Sequence, residues 1–180
     1  MAASLDGYIA GPHGEVDWIV QDPDVDFAER FEQFDTFLVG RRTYESMVRA
    51  GRGTIPGKRL LVFSRTLLQS DHPGVTLISE RIGETVAGLR GRSGLDIWLF
   101  GGGVLFRSLL DLGLVDTVEI AVIPVLLGDG VPVLPPPSRQ TRLLLTRHRE
   151  YPKTGIISLE YAVQYPTTKP QRDELQDAGA

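Results

Sequence analysis

The sequence predicts an α/β domain: a largely parallel sheet with helices on both faces, closed at one edge by an antiparallel hairpin. Three observations carry this reading. Short apolar runs rich in Val, Ile, Leu and Phe alternate with helical patterns, the order that parallel βαβ units require. Several of those runs end at glycine or at a Ser-Arg-Thr cluster. Two longer extended runs near the C-terminus are separated by a Pro- and Gly-containing turn, the signature of a hairpin.

Taken in order, residues 36–40 (TFLVG), 59–64 (RLLVFS), 75–79 (VTLIS), 96–100 (DIWLF) and 117–125 (TVEIAVIPV) read as buried strands. Residues 23–34, 43–50, 83–89 and 104–112 read as helices. In the first helix Asp22 is the expected N-cap, followed by Pro23 and Asp24 in the first turn. Residues 142–150 and 156–164 form the hairpin strands around Tyr151-Pro152-Lys153-Thr154-Gly155. The domain is expected to span residues 1–164. Residues 165–180 are polar, lack periodicity and read as a loose tail.

Composition narrows the function classes. The 180 residues include no cysteine, which removes disulfides, thiolate metal sites and thiol nucleophiles. A chain of this length buries about 70% of its unfolded surface and folds without such staples. With 19 Lys+Arg against 23 Asp+Glu the net charge is −4, so a general nucleic-acid binder is not expected. No apolar run reaches the length of a membrane span, and the first ten residues show no secretory pattern. A cytoplasmic location is the expectation. His13, His72 and His148 are scattered and read as solvated, and no metal site is expected.

Three segments stand out chemically. Phe100 leads into Gly101-Gly102-Gly103 and then Val104-Leu105, a strand running through three glycines into a helix. Glycine admits a sharp turn and the close approach of a ligand, and a helix N-terminus attracts phosphate. The alternative is a plain strand-to-helix turn. Val39-Gly40-Arg41-Arg42-Thr43-Tyr44 repeats the pattern, with Thr43 a possible cap. Cations at a helix N-terminus oppose the dipole, a conflict that a bound anion would remove. Otherwise both arginines simply reach into water. Ser64-Arg65-Thr66 ends a third strand with two hydroxyls and a guanidinium. In open α/β sheets ligands bind beyond the carboxyl ends of the strands, so three such ends together suggest a nucleotide.

These segments resemble the dihydrofolate reductase superfamily, and within it the reductase branch of bacterial riboflavin biosynthesis, the RibD C-terminal type. Ala3-Ser4-Leu5-Asp6-Gly7-Tyr8-Ile9-Ala10 resembles the opening strand and loop of that branch. Gly40-Arg41-Arg42-Thr43-Tyr44-Glu45, Pro56-Gly57-Lys58 with Ser64-Arg65, Gly101-Gly102-Gly103, and Ile123-Pro124 through Gly128-Asp129-Gly130 follow in the expected order. The resemblance implies a three-layer sandwich around a twisted mixed sheet of about eight strands, mostly parallel, with the antiparallel hairpin at its end. It implies NADPH as hydride donor. Arg41, Arg42, Ser64 and Arg65, with Thr43 and Thr66 beside them, would hold the 2′-phosphate. Gly101 to Leu105 would pass under the pyrophosphate, and Ala3, Ile9 and Ala10 would flank the nicotinamide. It also implies a homodimer.

The substrate side departs from the folate reductases. Their helix acid has two candidates here, Asp24 and Asp26, and spacing places Asp24 nearer the apolar stripe of Phe27, Ala28 and Phe31. Asp24 is equally well read as a helix-start residue. Asp6 is the other catalytic candidate, either a proton relay or a turn-forming Asp-Gly residue. Ala121 replaces the threonine expected after the glycines, which disfavours dihydrofolate itself. Trp18, Phe31 and Tyr44 are candidate walls for a flat heterocycle. The leading expectation is an NADPH-dependent reductase of a pyrimidine, pterin or related heterocycle, most like 5-amino-6-(5-phosphoribosylamino)uracil reductase. A paralogue reducing another small carbonyl or imine compound is the first alternative. A non-catalytic NADP-binding module is the second.

Overall fold

The computed structural model describes residues 1–166. Its strands are β1 (Ala2–Ser4), β2 (Tyr8–Ala10), β3 (Phe34–Gly40), β4 (Arg59–Phe63), β5 (Thr76–Ile78), β6 (Asp96–Gly101), β7 (Thr117–Ile123), β8 (Val131–Pro132), β9 (Arg142–Tyr151) and β10 (Ile156–Gln164). The helices are α1 (Phe27–Glu32), α2 (Arg41–Arg49), α3 (Ile82–Arg90) and α4 (Gly103–Asp111). The expected elements are present.

The eight main strands fall into two four-stranded groups. One has the order β5-β4-β3-β6 and is parallel throughout. The other has the order β1-β7-β10-β9, with β1 parallel to β7 and the rest antiparallel. A short antiparallel ribbon, β2-β8, lies apart from both. The two faces of the parallel group bury different clusters. Leu38, Leu61 and Phe63 pack with Val86 of α3 and with Leu105, Phe106, Leu109 and Leu110 of α4. Phe37, Val39, Leu60 and Val62 pack with Tyr44 and Met47 of α2 and Phe31 of α1. Alternate residues of one strand thus serve opposite layers, and each fully buried side chain contributes about 1.5–3 kcal/mol. Val118, Ile120 and Val163 join the α4 side, binding the second group to the same core.

Four local expectations are corrected. The first helix is only Phe27–Glu32, and Asp26, not Asp22, caps it by accepting from the Glu29 amide at 2.9 Å. Asp22 is buried and instead accepts from the Thr154 hydroxyl at 2.7 Å and the Asp24 amide at 2.9 Å. Thr43 lies inside α2, whose N-cap is Gly40. His72 is half-buried, and its Nδ1 lies 3.1 Å from the Tyr44 hydroxyl. Tyr165, read as the first tail residue, docks by its hydroxyl, which donates to the Val115 carbonyl at 2.8 Å. The tail beyond residue 166 lies outside the described residues.

Candidate functional site

Because β3, β4 and β6 are parallel neighbours, their C-terminal ends emerge at one edge. Register puts Gly40 beside Phe63 on one side and Val39 beside Gly101 on the other. Gly40, Ser64 and Gly101, far apart in sequence, are thereby gathered together. The two following helices begin there: α2 directly after Gly40 and α4 after Gly102. Neither start has a side-chain cap, so the first amides of both helices are left to other acceptors. Gly102 has φ of +97°, which only glycine adopts without strain.

Around this edge the candidate side chains divide. Arg41 is engaged with Glu45 at 2.8 Å, an i,i+4 pair. Arg42 and Arg65 are exposed and, among the described residues, pair with no carboxylate. Ser64 is buried, and its hydroxyl oxygen accepts from the Thr66 and Leu67 amides at 3.2 and 3.1 Å. It shapes the turn that presents Arg65 and the exposed Thr66. Thr43 stands over the glycine turn: a Cβ on Gly101 would lie 3.1 Å from its methyl group. Leu105 is buried, while Val104 is exposed on the first turn of α4.

The residues expected to flank the nicotinamide lie on β1 and β2. Ala3 is buried on β1, and Ile9 and Ala10 lie half-buried on β2. Asp6, between the strands, spends both carboxylate oxygens as acceptors. It takes hydrogen bonds from the Ser4 hydroxyl at 2.6 Å, the Leu127 amide at 3.1 Å and the Gly128 amide at 2.7 Å. The Ser4 hydroxyl first and the Gly128 amide next hold its carboxyl below the usual range, so it is ionised at neutral pH.

The structure does not bring the remaining expected site residues together. Asp24 precedes α1 and forms an exposed ion pair with Lys153 at 2.8 Å. Phe31 is stacked on Phe37 at 5.3 Å and meets Trp98 edge-on at 5.1 Å. Tyr44 is buried, and burial raises its phenol pKa. Of the three proposed walls only Trp18 stays in the loop before α1, half-buried, its indole donating to the Glu15 carbonyl at 3.1 Å. Sequence reading missed a charged pair on the same flank: Arg30 of α1 bonds to Glu119 of β7 and lies over the Trp98 ring at 5.3 Å. The helix thus points a cation at β7. No spacing rule links positions so far apart, so sequence carried no signal for it.

A concavity of about 420 Å³ lies between β4, β5 and α3, lined by Arg59, Thr76, Glu84 and Arg92 and by none of the residues above. Among the described residues no helix is long and apolar enough to cross a membrane, and no three His, Asp or Glu residues cluster as metal ligands.

Parallel strand ends, two uncapped helix starts and a flanking β-ribbon define a dihydrofolate reductase-like α/β fold. Comparison with known proteins makes this specific. Residues 1–157 match the model of the RibD C-terminal domain, and the chain belongs to that family. It is 32% identical to the uncharacterized protein YyaP of Bacillus subtilis over 173 residues, covering 89% of this chain and 91% of YyaP. A putative riboflavin biosynthesis protein from Shewanella sp. PV-4 is 27% identical, with a TM-score of 0.76 over 92% of this chain and 97% of that one. Dihydrofolate reductase from Enterococcus faecalis, solved with NADP(H), shares the fold at 17% identity, with a TM-score of 0.63 over 91% and 94% of the two chains.

Proposed function

We propose that the protein is an NADPH-dependent reductase of a planar heterocycle, a pyrimidine or pterin, most like 5-amino-6-(5-phosphoribosylamino)uracil reductase. The observation that carries this reading is the convergence of Gly40, Ser64 and Gly101 at one sheet edge, with two uncapped helix starts and the free cations Arg42 and Arg65. A diphosphate with an additional phosphate monoester fits that chemistry. Amides at the α4 start suit the diphosphate, and guanidinium groups suit the monoester. Arg42, Arg65 and Thr66 would hold the 2′-phosphate, and Gly101 to Leu105 the pyrophosphate. Ala3, Ile9 and Ala10, with their small or apolar side chains, would flank the nicotinamide. When bound, the cofactor supplies a hydride.

The chain's own contribution is alignment of donor and acceptor. Asp6 is ionised and fully bonded, and Asp24 faces solvent in an ion pair, so we assign the proton of the reduction to water entering the cleft. The same two observations favour a second reading, a nucleotide-binding module without turnover. Loss of nicotinamide absorbance on mixing NADPH with ribosylaminouracils and pterins separates the two. Substrate-dependent oxidation supports the reductase; saturable binding with none supports the module.

We also propose a homodimer joined through β9. This ten-residue edge strand exposes Leu143, Leu144 and Leu145 at 44%, 58% and 48%. Exposed apolar edges are normally blunted or paired. Antiparallel pairing centred on Leu144 sets Leu143 against the partner's Leu145 and Arg142 against the partner's Thr146. Leucines then meet leucines, and no like charges face each other within the strand.

A further inference from the structure

The short strand β8 is held tightly on two sides. On one side it pairs with β2, Tyr8 with Pro132 and Ala10 with Val131. Gly130, just before it, lies against the Ala10 carbonyl so closely that a Cβ there would overlap it. On another side, a Cβ on Gly103 would come within 2.7 Å of the Pro132 carbonyl oxygen and 2.9 Å of that of Val133. β8 is therefore a spacer between the strand carrying Ile9 and Ala10 and the first residue of α4. Packing this close passes on any displacement of the strand.

Asp6 acts just upstream of β8. Its carboxylate gathers the Leu127 and Gly128 amides, at the near end of the segment leading into β8, and the Ser4 hydroxyl. Ser4 in turn accepts from the Tyr8 amide at 2.9 Å, at the start of β2. Two backbone bonds brace the same unit, Leu5 amide to Val125 carbonyl and Val133 amide to Gly7 carbonyl, each 2.9 Å. The Asp6 side chain bonds to none of Gly40, Ser64 and Gly101. Its reach is through β8.

We propose that Asp6 is a positioning residue: by anchoring residues 127–128 it fixes β8, and through Gly130 and Gly103 sets the gap between β2 and the Gly101-Gly102-Gly103 turn. The proposal rests on the NADPH reading, and it assigns Asp6 to one half of that cofactor. The nicotinamide and pyrophosphate lie across the gap, whereas the adenosine 2′-phosphate lies on α2 and the end of β4, which Asp6 does not touch.

The test compares NADPH with 2′,5′-ADP, which carries only the adenosine half, on the wild-type protein and on Asp6→Asn and Ser4→Ala. Asp6→Asn keeps the shape but presents a donor where amides need an acceptor. Misplacement of a binding gap by a fraction of an ångström costs roughly tenfold or more. We expect NADPH to weaken about tenfold in Asp6→Asn and less in Ser4→Ala, with 2′,5′-ADP unchanged in both. Amide hydrogen exchange should quicken in residues 125–133 and not in α2. Where turnover is measurable, KM for NADPH rises while the pH profile of kcat keeps its shape. Unchanged NADPH affinity in Asp6→Asn overturns the proposal, as does an equal loss of both ligands or a lost limb of the pH profile. A wild-type protein that binds neither ligand overturns the cofactor reading itself, and this proposal with it.

Discussion

The side chain of Thr43 lies directly over Gly101, closing the space that any Cβ at that glycine would need: the methyl would be 3.1 Å away and the hydroxyl 3.3 Å. Thr43 lies in the first turn of α2 and Gly101 ends β6, so their contact ties together the strand-to-helix turns that follow the neighbouring parallel strands β3 and β6. Gly101→Ala should push Thr43 aside, lower stability by about 1–3 kcal/mol as overpacking does, and weaken NADPH. Thr43→Ala alone should be mild. The double variant should recover most of the lost melting temperature. Additive effects in that cycle, measured by thermal unfolding, would contradict the contact.

Arg42 and Arg65, at the strand ends, pair with no carboxylate among the described residues. A charged hydrogen bond to phosphate contributes about 1.5–3 kcal/mol, so Arg42→Ala and Arg65→Ala should each weaken NADPH roughly tenfold or more. NADH, which lacks the 2′-phosphate, should change little with either. Parallel titrations with both nucleotides check this. Arg41→Ala should have the smaller effect, because Arg41 is already engaged with Glu45.

Asp35 gives a pH prediction. The Thr36 hydroxyl first, then Arg59 and the Leu95 amide, hold its carboxyl down at about 2, below the ordinary 3.8. A folded-state pKa below the unfolded one contributes stability that is present above the unfolded value. That stability is lost as pH falls from about 4 through 2. Asp35→Asn should therefore flatten the acid limb of the stability curve in that window and lower stability at neutral pH. Urea unfolding across pH 2–7 would show it.

Leu144 tests the assembly. Leu144→Lys places like charges at the proposed two-fold axis and should convert a dimer to a monomer in sedimentation, with the circular dichroism spectrum unchanged. A wild-type protein that sediments as a monomer at all concentrations contradicts pairing through β9.

Much of the fold was legible because its signals are local. Residues 37–39 and 60–63 are apolar throughout, as strands buried on both faces must be, and Gly102 marks a turn that needs positive φ. The gathering of the strand ends proposed for the cofactor was legible for the same reason, since each strand end carries its own glycine or hydroxyl. The substrate side was not. Asp22-Pro23-Asp24 reads as a helix start, yet Asp22 is drawn to Thr154, 132 residues away, and the helix begins only after Asp26. Asp6 reads as a turn residue or a proton relay, and only the approach of Leu127 and Gly128, 121 and 122 residues on, shows it as an anchor. Phe31 and Tyr44 have the right character for a pocket wall, but aromatic character does not distinguish wall from core, and packing drew both inward. The two groups of strands, expected as one sheet, are joined by side chains around α4 rather than by a hydrogen-bonded ladder.

In the proposed function, this strand-end edge holds a 2′-phosphorylated nicotinamide dinucleotide. Fluorescence titration of the wild-type protein with NADPH and with NADH tests it most directly. Saturable binding with clear preference for NADPH is the predicted result. No saturable binding, or equal affinity for the two, would contradict it.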